Sequence, residues 1–193
     1  MAQNWDEYAA EWENDESTTA FAHNVFQQLK ALTDLDGKHI LDFGCGTGLL
    51  TQLMSPLAKD IVALDSSEAM IEELDKKELA NVEPVVDALS RGLVAQHPAF
   101  RKQFDLVVAS SVCGYVSDVQ HSVDIVYSLL DVGGLFVLWD WQATDTQSES
   151  GLTQDQISAV LTKAGFAGVE TQQAFSIQTQ DGLMPVVMGI GRK

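Results

Sequence analysis

Basic residues are scarce in this sequence, and acidic residues are abundant. Of its 193 residues, 28 are Asp or Glu and only 11 are Lys or Arg, which gives a formal net charge of −17. Such a charge repels nucleic acid phosphates and anionic lipid, and no cluster of Lys or Arg is available to build a basic groove. We therefore expect neither nucleic acid nor a membrane among the partners of this chain.

Cysteines and long apolar runs are also lacking. The two cysteines, Cys45 and Cys113, are too few for a disulfide scaffold. No apolar run reaches the roughly 18 residues that a transmembrane helix needs, and the acidic N-terminus lacks the basic and apolar regions of a signal peptide. We expect reduced thiols and a cytoplasmic location.

Motifs for metal and acyl-transfer chemistry are absent. The four histidines at 23, 39, 97 and 121 are scattered and form no metal-ligand pair at short spacing. No G-x-S-x-G motif is present. We therefore expect no metal site, and the sequence assigns no catalytic residue.

Apolar periodicity indicates strands that alternate with helices in a single domain over residues 1–193. Strands are predicted at 38–44, 60–65, 81–88, 104–111 and 134–141, and a C-terminal antiparallel hairpin turns at Asp181-Gly182. Helices are predicted at 17–33, 47–57, 67–77, 89–96, 118–130 and 153–165, with Ser17 or Thr18 capping the first and a capping box, Thr153 to Gln156, opening the last.

This order of elements predicts an α/β fold with a Rossmann-like, doubly wound sheet. The sheet would have seven mostly parallel strands and an antiparallel C-terminal strand. Pro84 lies in the third strand, and proline cannot donate to a β-ladder. We therefore place the third strand at an edge of the sheet, as a doubly wound order requires.

The stretch "LDFGCGTGLL" (41–50) carries the strongest functional signal. Gly44, Gly46 and Gly48 follow Asp42 at the end of the first strand, where an open α/β sheet binds its ligands. A dinucleotide loop has the spacing G-x-G-x-x-G, but Leu49 occupies the third glycine position. A cationic ligand without phosphate, such as S-adenosylmethionine, suits an acid beside such a loop better.

The sequence resembles the class I S-adenosylmethionine-dependent methyltransferases. "ILDFGCGTG" is similar to the first motif of that family, "DSSEAM" to the second, and "LLDVGGLFVL" to the segment before the fifth strand, with Val132 in place of the usual proline. The resemblance implies that Asp65 binds the ribose hydroxyls, that Met70 lies against the adenine ring, and that Asp87 accepts from the adenine amino group. The implied cofactor site comprises Asp42, Gly44, Cys45, Gly46, Gly48, Asp65, Ser66, Met70, Asp87, Ala88 and Ser110.

The N-terminal stretch "NWDEYAAEW" resembles the "YDxxAxxY" segment of small family members, which packs over the bound cofactor. We interpret residues 1–16 as a lid and 17–33 as the first helix. The expected residues on the acceptor side are Tyr8, Trp12, Cys113, Tyr115 and Trp141, with the loops 112–117 and 141–152 closing the pocket.

The resemblance implies in-line methyl transfer from S-adenosylmethionine to an acceptor, which we expect to be a small molecule because the chain has no large insertion. Two alternatives remain open: a regulatory protein that binds S-adenosylmethionine without transferring a methyl group, and a nucleotide-binding oxidoreductase. The sequence does not identify the acceptor, a catalytic base or the oligomeric state.

Overall fold

The computed structural model describes residues 4–144 and 151–193. Residues 1–3 of the expected lid and residues 145–150 of the 141–152 loop lie outside the described residues.

A single seven-stranded sheet organises the chain. The strands are β1 (His39–Phe43), β2 (Asp60–Asp65), β3 (Val82–Val86), β4 (Phe104–Ser110), β5 (Leu130–Trp141), β6 (Ala167–Thr179) and β7 (Gly182–Arg192). Their order is β3-β2-β1-β4-β5-β7-β6; β1 to β5 pair in parallel and β7 pairs antiparallel with both neighbours. The predicted fold class is confirmed, including β3 at the edge and the C-terminal hairpin.

Helices cover the sheet between successive strands. They are α1 (Glu16–Leu32), α2 (Leu49–Met54), α3 (Glu68–Asp75), α4 (Arg91–Gln96), α5 (Val119–Leu129) and α6 (Gln154–Ala164), with short 3-10 helices at Trp5–Glu7, Ala9–Asn14 and Pro98–Phe100. None of the helices in the described ranges is long and apolar enough to cross a membrane.

The starts of α1 and α2 differ from the sequence prediction for identifiable reasons. The carboxylate of Asp15 accepts from the backbone N–H of Ser17 at 2.7 Å and caps α1, so the expectation that Ser17 or Thr18 caps this helix is wrong. The second helix begins at Leu49 instead of Thr47 because Gly48, with φ of 81°, is its N-cap in the left-handed region. The capping box at Thr153 and Gln156 is confirmed.

The alternation of side chains along the central strands divides the core into two layers. On β5, Val137 and Trp139 face a cluster that contains residues of α1, such as Leu29. Phe136 and Leu138, which alternate with them, face a cluster that contains residues of α5 and α6. The sheet is therefore buried on both faces, as parallel strands require.

The direction of winding reverses between β1 and β4. The chain moves outward through β2 and β3 on one side of β1, and through β4 and β5 on the other. A crevice opens at the carboxyl ends of the strands at such a reversal, and open α/β sheets bind their ligands there. The fold thus brings the loop after β1 and the loop after β4 together.

A buried hydrogen bond connects α1 to the sheet and yields a stability prediction. Trp139 is fully buried, and its Nε1 donates to Oε1 of Gln28 at 2.8 Å. The Gln28→Ala variant leaves this N–H without a partner, so the free energy of unfolding should fall by about 1–3 kcal/mol. Denaturant titration measures the change, and Gln27→Ala, at an exposed position next to it, should have little effect. Equal losses in the two variants would contradict the assignment.

Candidate cofactor site

The loop that follows β1 folds back against the end of β2. The backbone N–H groups of Gly44 and Cys45 both donate to the carbonyl oxygen of Leu64, at 2.8 and 3.0 Å. Gly44, Gly46 and Gly48 have φ angles of 71°, 55° and 81°, which lie in the region that side chains disfavour. The three glycines are therefore required by the shape of the loop itself.

Two of these glycines are also required by packing within the protein. A Cβ atom at Gly44 would lie 2.3 Å from Cγ2 of Val112, and one at Gly48 would lie 2.3 Å from Cδ1 of Leu74. Both distances are far inside van der Waals contact. The close approach at these two positions is therefore made by the chain's own side chains.

Gly46 differs from the other two because a Cβ atom there would make only ordinary van der Waals contacts. A Cβ atom there would meet only Nε1 of Trp12 at 3.8 Å and Sδ of Met70 at 4.0 Å. Trp12 belongs to the N-terminal segment and Met70 to α3. Gly46 is therefore the position of the loop at which a ligand can approach the backbone.

Asp65, the last residue of β2, holds the loop in place. Its Oδ2 accepts from the backbone N–H of Gly46 at 2.8 Å, and its Oδ1 accepts from that of Ser67 at 2.9 Å. Burial raises the pKa of Asp65, although these backbone N–H groups and that of Ser66 act against the rise. Each oxygen keeps a further lone pair, so the carboxylate can still accept from a ligand.

Asp42 is a buried carboxyl group with one unsatisfied oxygen. Its Oδ2 accepts from the hydroxyl of Thr51 at 2.7 Å, whereas Oδ1 has no hydrogen-bond partner, and neither has the buried hydroxyl of Thr47. Burial raises the pKa of Asp42 to about 7, and the nearby charge of Asp65 contributes. Buried polar atoms without partners are costly, so this position is prepared for a donor that the chain does not provide.

Both cysteines are buried, and burial disfavours the ionised thiolate. Burial is the main cause that raises the thiol pKa of Cys45 and of Cys113 well above the ordinary value, and neighbouring acids add to it. A thiol must ionise to act as a nucleophile. Cys45 therefore belongs to the loop as a small buried side chain.

The residues expected near adenine gather at the ends of β2 and β3. The backbone N–H of Asp87 donates to the carbonyl oxygen of Asp65 at 3.0 Å, so the two acids follow adjacent strands. Asp87 and Ala88 are exposed, and Oδ1 of Asp87 accepts from the backbone N–H of Ala88 at 2.7 Å. Met70 is buried and reaches the site only through its sulfur beside Gly46.

The N-terminal segment docks on the start of α3 through Asp6. The Asp6 carboxylate accepts from the hydroxyl of Ser67 at 2.5 Å and from the backbone N–H of Ala69 at 3.4 Å. The positive end of the helix dipole favours a carboxylate at this position.

A second contact connects the segment to the end of α3. Lys77 Nζ lies 2.6 Å from Oε1 of Glu13 and also donates to Oε1 of Gln52 at 2.9 Å. With Trp12 beside Gly46, residues 4–14 therefore lie against the glycine loop.

Aromatic rings connect this segment to the loop after β4. The ring centroid of Trp5 lies 5.1 Å from that of Tyr115, 5.9 Å from that of Trp12 and 6.3 Å from that of Tyr8. Tyr8, Trp12 and Tyr115, which the sequence assigns to the acceptor side, are thus brought into one cluster centred on Trp5.

Asp140 lies beneath the loop after β4. It is fully buried; Oδ2 accepts from the backbone N–H of Gly114 at 2.7 Å and Oδ1 from that of Trp141 at 2.9 Å. Burial raises the pKa of Asp140 to about 7 against the effect of these hydrogen bonds. Burial also raises the pKa of Tyr115, and the Asp140 charge adds to this effect.

Trp141 and Cys113 are not part of the aromatic cluster. Trp141 follows Asp140 along β5 and therefore points to the opposite face of the sheet, where its ring centroid lies 5.0 Å from that of Phe21. Cys113 is packed in the core beside α5 and α6. Ser110 ends β4, half-buried, at the edge that carries the glycine loop.

Asp6, Thr51 and Val112 contribute to the site, although sequence reasoning did not assign them to it. Asp6 reaches a partner 61 residues away, and Val112 fills the space above Gly44; neither contact leaves a local pattern. The contact of Thr51 with Asp42, nine residues earlier, could have been predicted from the sequence, because a threonine in the first turn after the loop points back toward the strand.

Comparisons with known proteins find methyltransferases. A family model described as "Methyltransferase domain" matches residues 41–136, which include the end of β1, the glycine loop and the strands β2 to β4. The ubiquinone biosynthesis O-methyltransferase of Rhodopseudomonas palustris is 30% identical over 113 residues, covering 56% of this chain and 42% of that protein. An uncharacterized methyltransferase of Schizosaccharomyces pombe is 33% identical over 108 residues, covering 52% and 38%. The chain therefore spans about two fifths of the length of these relatives.

Solved structures share the fold. The N-methyltransferase NodS of Bradyrhizobium japonicum, in complex with S-adenosyl-L-homocysteine, superposes with a TM-score of 0.74 at 18% identity and covers 99% of each chain. The magnesium protoporphyrin IX methyltransferase of Synechocystis, with bound S-adenosylmethionine, gives 0.66 at 19% identity, over 90% of this chain and 79% of that one. With the family match and the confirmed topology, these findings show that the chain belongs to the class I S-adenosylmethionine-dependent methyltransferases.

Proposed function

We propose that this chain binds S-adenosylmethionine at the carboxyl edge of its sheet and transfers the methyl group to a small molecule. The observation that carries the proposal is Asp42, a buried acid with an unpartnered oxygen. It lies at the start of a loop in which Gly46, unlike Gly44 and Gly48, would accept a Cβ atom without a steric clash. S-adenosylmethionine carries an ammonium and a sulfonium group, and a cationic donor suits such an acid. The match to the family model over the same loop supports this assignment.

In this proposal, different residues bind different parts of the cofactor. The loop at Gly44, Gly46 and Gly48, with Asp42 below it, holds the amino-acid part. Asp65 accepts from the ribose hydroxyls, as a strand-end acid does in dinucleotide sites. The residues Ser66, Met70, Asp87, Ala88 and Ser110 surround the adenosine.

The contribution of the chain to the reaction is positioning. The cofactor supplies a methyl group on a positively charged sulfur, which makes that carbon reactive toward a nucleophile. Bringing an acceptor into line with it removes much of the entropic cost of a bimolecular step. We assign no general base, because neither the sequence nor the described residues identify a side chain that removes a proton from the methyl acceptor.

We propose that residues 1–16 act as a lid over this site. Asp6 and Glu13 attach the segment to α3, and Trp12 lies above Gly46. A closed segment would exclude water from the reacting sulfonium. We expect the acceptor beneath it to be small; the relatives named for ubiquinone and magnesium protoporphyrin IX support this size class.

Turnover distinguishes an enzyme from a protein that only binds the cofactor. With S-adenosylmethionine labelled in its methyl group and a small-molecule extract, we expect the label to appear in a product as S-adenosylhomocysteine accumulates. Mass spectrometry detects both species. Tight binding of S-adenosylmethionine with no labelled product from any extract would support the regulatory alternative instead.

Gly46→Ala should weaken the binding of S-adenosylhomocysteine by at least tenfold, about 1.4 kcal/mol, because a methyl group fills the space beside the loop. Gly37→Ala is the matched control: Gly37 has φ of 70° and a Cβ atom there would meet nothing within 4 Å, but it lies at the other end of β1. Both variants carry similar backbone strain. Calorimetry should show lost affinity only for Gly46→Ala, and equal affinities would exclude the loop from the site.

The raised pKa of Asp42 makes the stability of the empty chain depend on pH. The folded state keeps the Asp42 proton until about pH 7, whereas an unperturbed aspartate carboxyl, as in the unfolded chain, loses its proton near pH 3.8. The folded state thus binds more protons in this window, so the free energy of unfolding falls as pH rises through it, by at most about 1.4 kcal/mol per pH unit. Asp42→Asn removes this loss.

Urea titrations at several pH values measure the effect. The stability of Asp42→Asn relative to the natural chain should increase as pH rises from about 4 to about 7 and then level off. Asp140 shifts in the same direction, but it is present in both chains and cancels. A difference that stays constant with pH would contradict the burial of an ionisable Asp42.

A further inference from the structure

We propose that the methyl acceptor is a small amine that binds as a cation, held by the aromatic cluster around Trp5 and by the acidic surroundings of the site. This inference rests on the proposed methyl transfer and specifies the substrate class. It follows from the aromatic rings around Trp5, from the buried carboxyl group of Asp140 and from the absence of basic residues in the segments around the site.

The segments at the carboxyl edge of the sheet carry charge of one sign. We define the mouth as residues 4–16, 42–49, 65–68, 87–90, 110–118 and 140–144; these segments contain twelve acidic residues and no Lys, Arg or His. A mouth lined by one sign of charge concentrates ligands of the opposite sign and repels those of the same sign. An anionic acceptor would find no basic partner in these segments.

Some of these acids already have assigned roles and are not counted on the acceptor side. Asp42, Asp65 and Asp87 belong to the proposed cofactor site, and Asp6 and Glu13 hold the N-terminal segment on α3. Asp140 is different, because it lies on the far side of β1 from Asp65, at the end of β5. Its charge therefore acts on the acceptor side.

Asp140 is a buried acid that no cation of the described chain neutralises. Backbone N–H groups of Gly114 and Trp141 donate to it, and none of the ion pairs formed among the described residues includes it. Its charge reaches Tyr115, whose pKa rises partly because of it. A cation bound beside Tyr115 would be stabilised by the same charge. Asp140 is thus a positioning residue, acting through the loop it supports.

The aromatic rings supply the second element of cation recognition. Trp5 meets Trp12 at 87°, Tyr115 at 89° and Tyr8 at 58°. None of these pairs is stacked face to face, so ring faces remain for another group. Aromatic faces attract ammonium groups, and several rings together form the cages that bind alkylammonium ions. Tyr8 and Tyr115 are exposed, which leaves them accessible to a ligand.

The reaction balances for such an acceptor. The bound ammonium R–NH3+ first releases one proton to solvent and becomes the free amine. The nitrogen lone pair then forms a bond to the methyl carbon while the carbon–sulfur bond breaks, and the bonding pair stays on sulfur. The products are neutral S-adenosylhomocysteine and the protonated methylamine.

Three probes of one shape and different charge test the proposal: phenethylamine, 2-phenylethanol and 3-phenylpropanoate. The full chain is first saturated with S-adenosylhomocysteine, and each probe is then titrated by calorimetry. We expect the amine to bind at least about tenfold more tightly than the alcohol, the scale of one favourable cation–π contact, and the carboxylate to bind more weakly than either. An amine that binds no better than the alcohol or the carboxylate would overturn the proposal.

Variants at Tyr115 test whether its aromatic ring binds the amine. Tyr115→Leu removes the ring and should lower the affinity for phenethylamine about tenfold, whereas Tyr115→Phe keeps the ring and should retain it. Each variant is titrated with S-adenosylhomocysteine first, so that the affinity for phenethylamine is compared at full saturation of the cofactor site. Equal loss in both variants, or loss in neither, would contradict recognition by the ring.

The first titration separates the two proposals. Failure of S-adenosylhomocysteine to bind would overturn the proposed function and this inference with it. Binding of S-adenosylhomocysteine without a preference for the amine would overturn the acceptor class alone and leave methyl transfer standing.

Discussion

The hydrogen bonds of Asp65 are the constraint on which the site depends. One carboxylate fixes Gly46 and Ser67, and so connects the loop after β1 to the start of α3. The order of strands places β2 beside β1, which brings these two segments within reach of a single side chain. The N-terminal segment then docks on the same Ser67 through Asp6. The loop, the helix and the segment above them therefore share one anchor.

This anchor places Asp6, Asp42 and Asp65 close enough for their charges to interact, and their repulsion must be tolerated. Burial raises the pKa of Asp42, Asp65 and Asp140, which means that their ionised forms are destabilised in the empty chain. A ligand with two positive groups would offset this cost at Asp42 and Asp65, and a cationic acceptor would offset it at Asp140. The net charge of −17 and the absence of basic residues from the segments of the mouth have the same consequence. The chain is suited to positively charged ligands.

The doubly wound, mostly parallel sheet, the edge position of β3 and the glycine loop after β1 could be predicted from the sequence, because strand runs, Pro84 and the glycine spacing are local signals. The separate reasons for each glycine could not be predicted, since Val112 and Leu74 approach Gly44 and Gly48 from distant segments. For the same reason the position of Trp141 against Phe21 was not apparent from its place in the chain. Strand alternation along β5 would have placed the side chain of Trp141 on the face of the sheet opposite to that of Asp140.

A crystal structure of the chain with S-adenosylhomocysteine bound tests the central claim most directly. The account predicts the ribose hydroxyls within hydrogen-bonding distance of Asp65, the amino-acid part against Gly46 with its ammonium directed to Asp42, and residues 4–14 covering the ligand. Electron density for the ligand at another edge of the sheet, or at this edge without contact to Asp65 and Gly46, would contradict it.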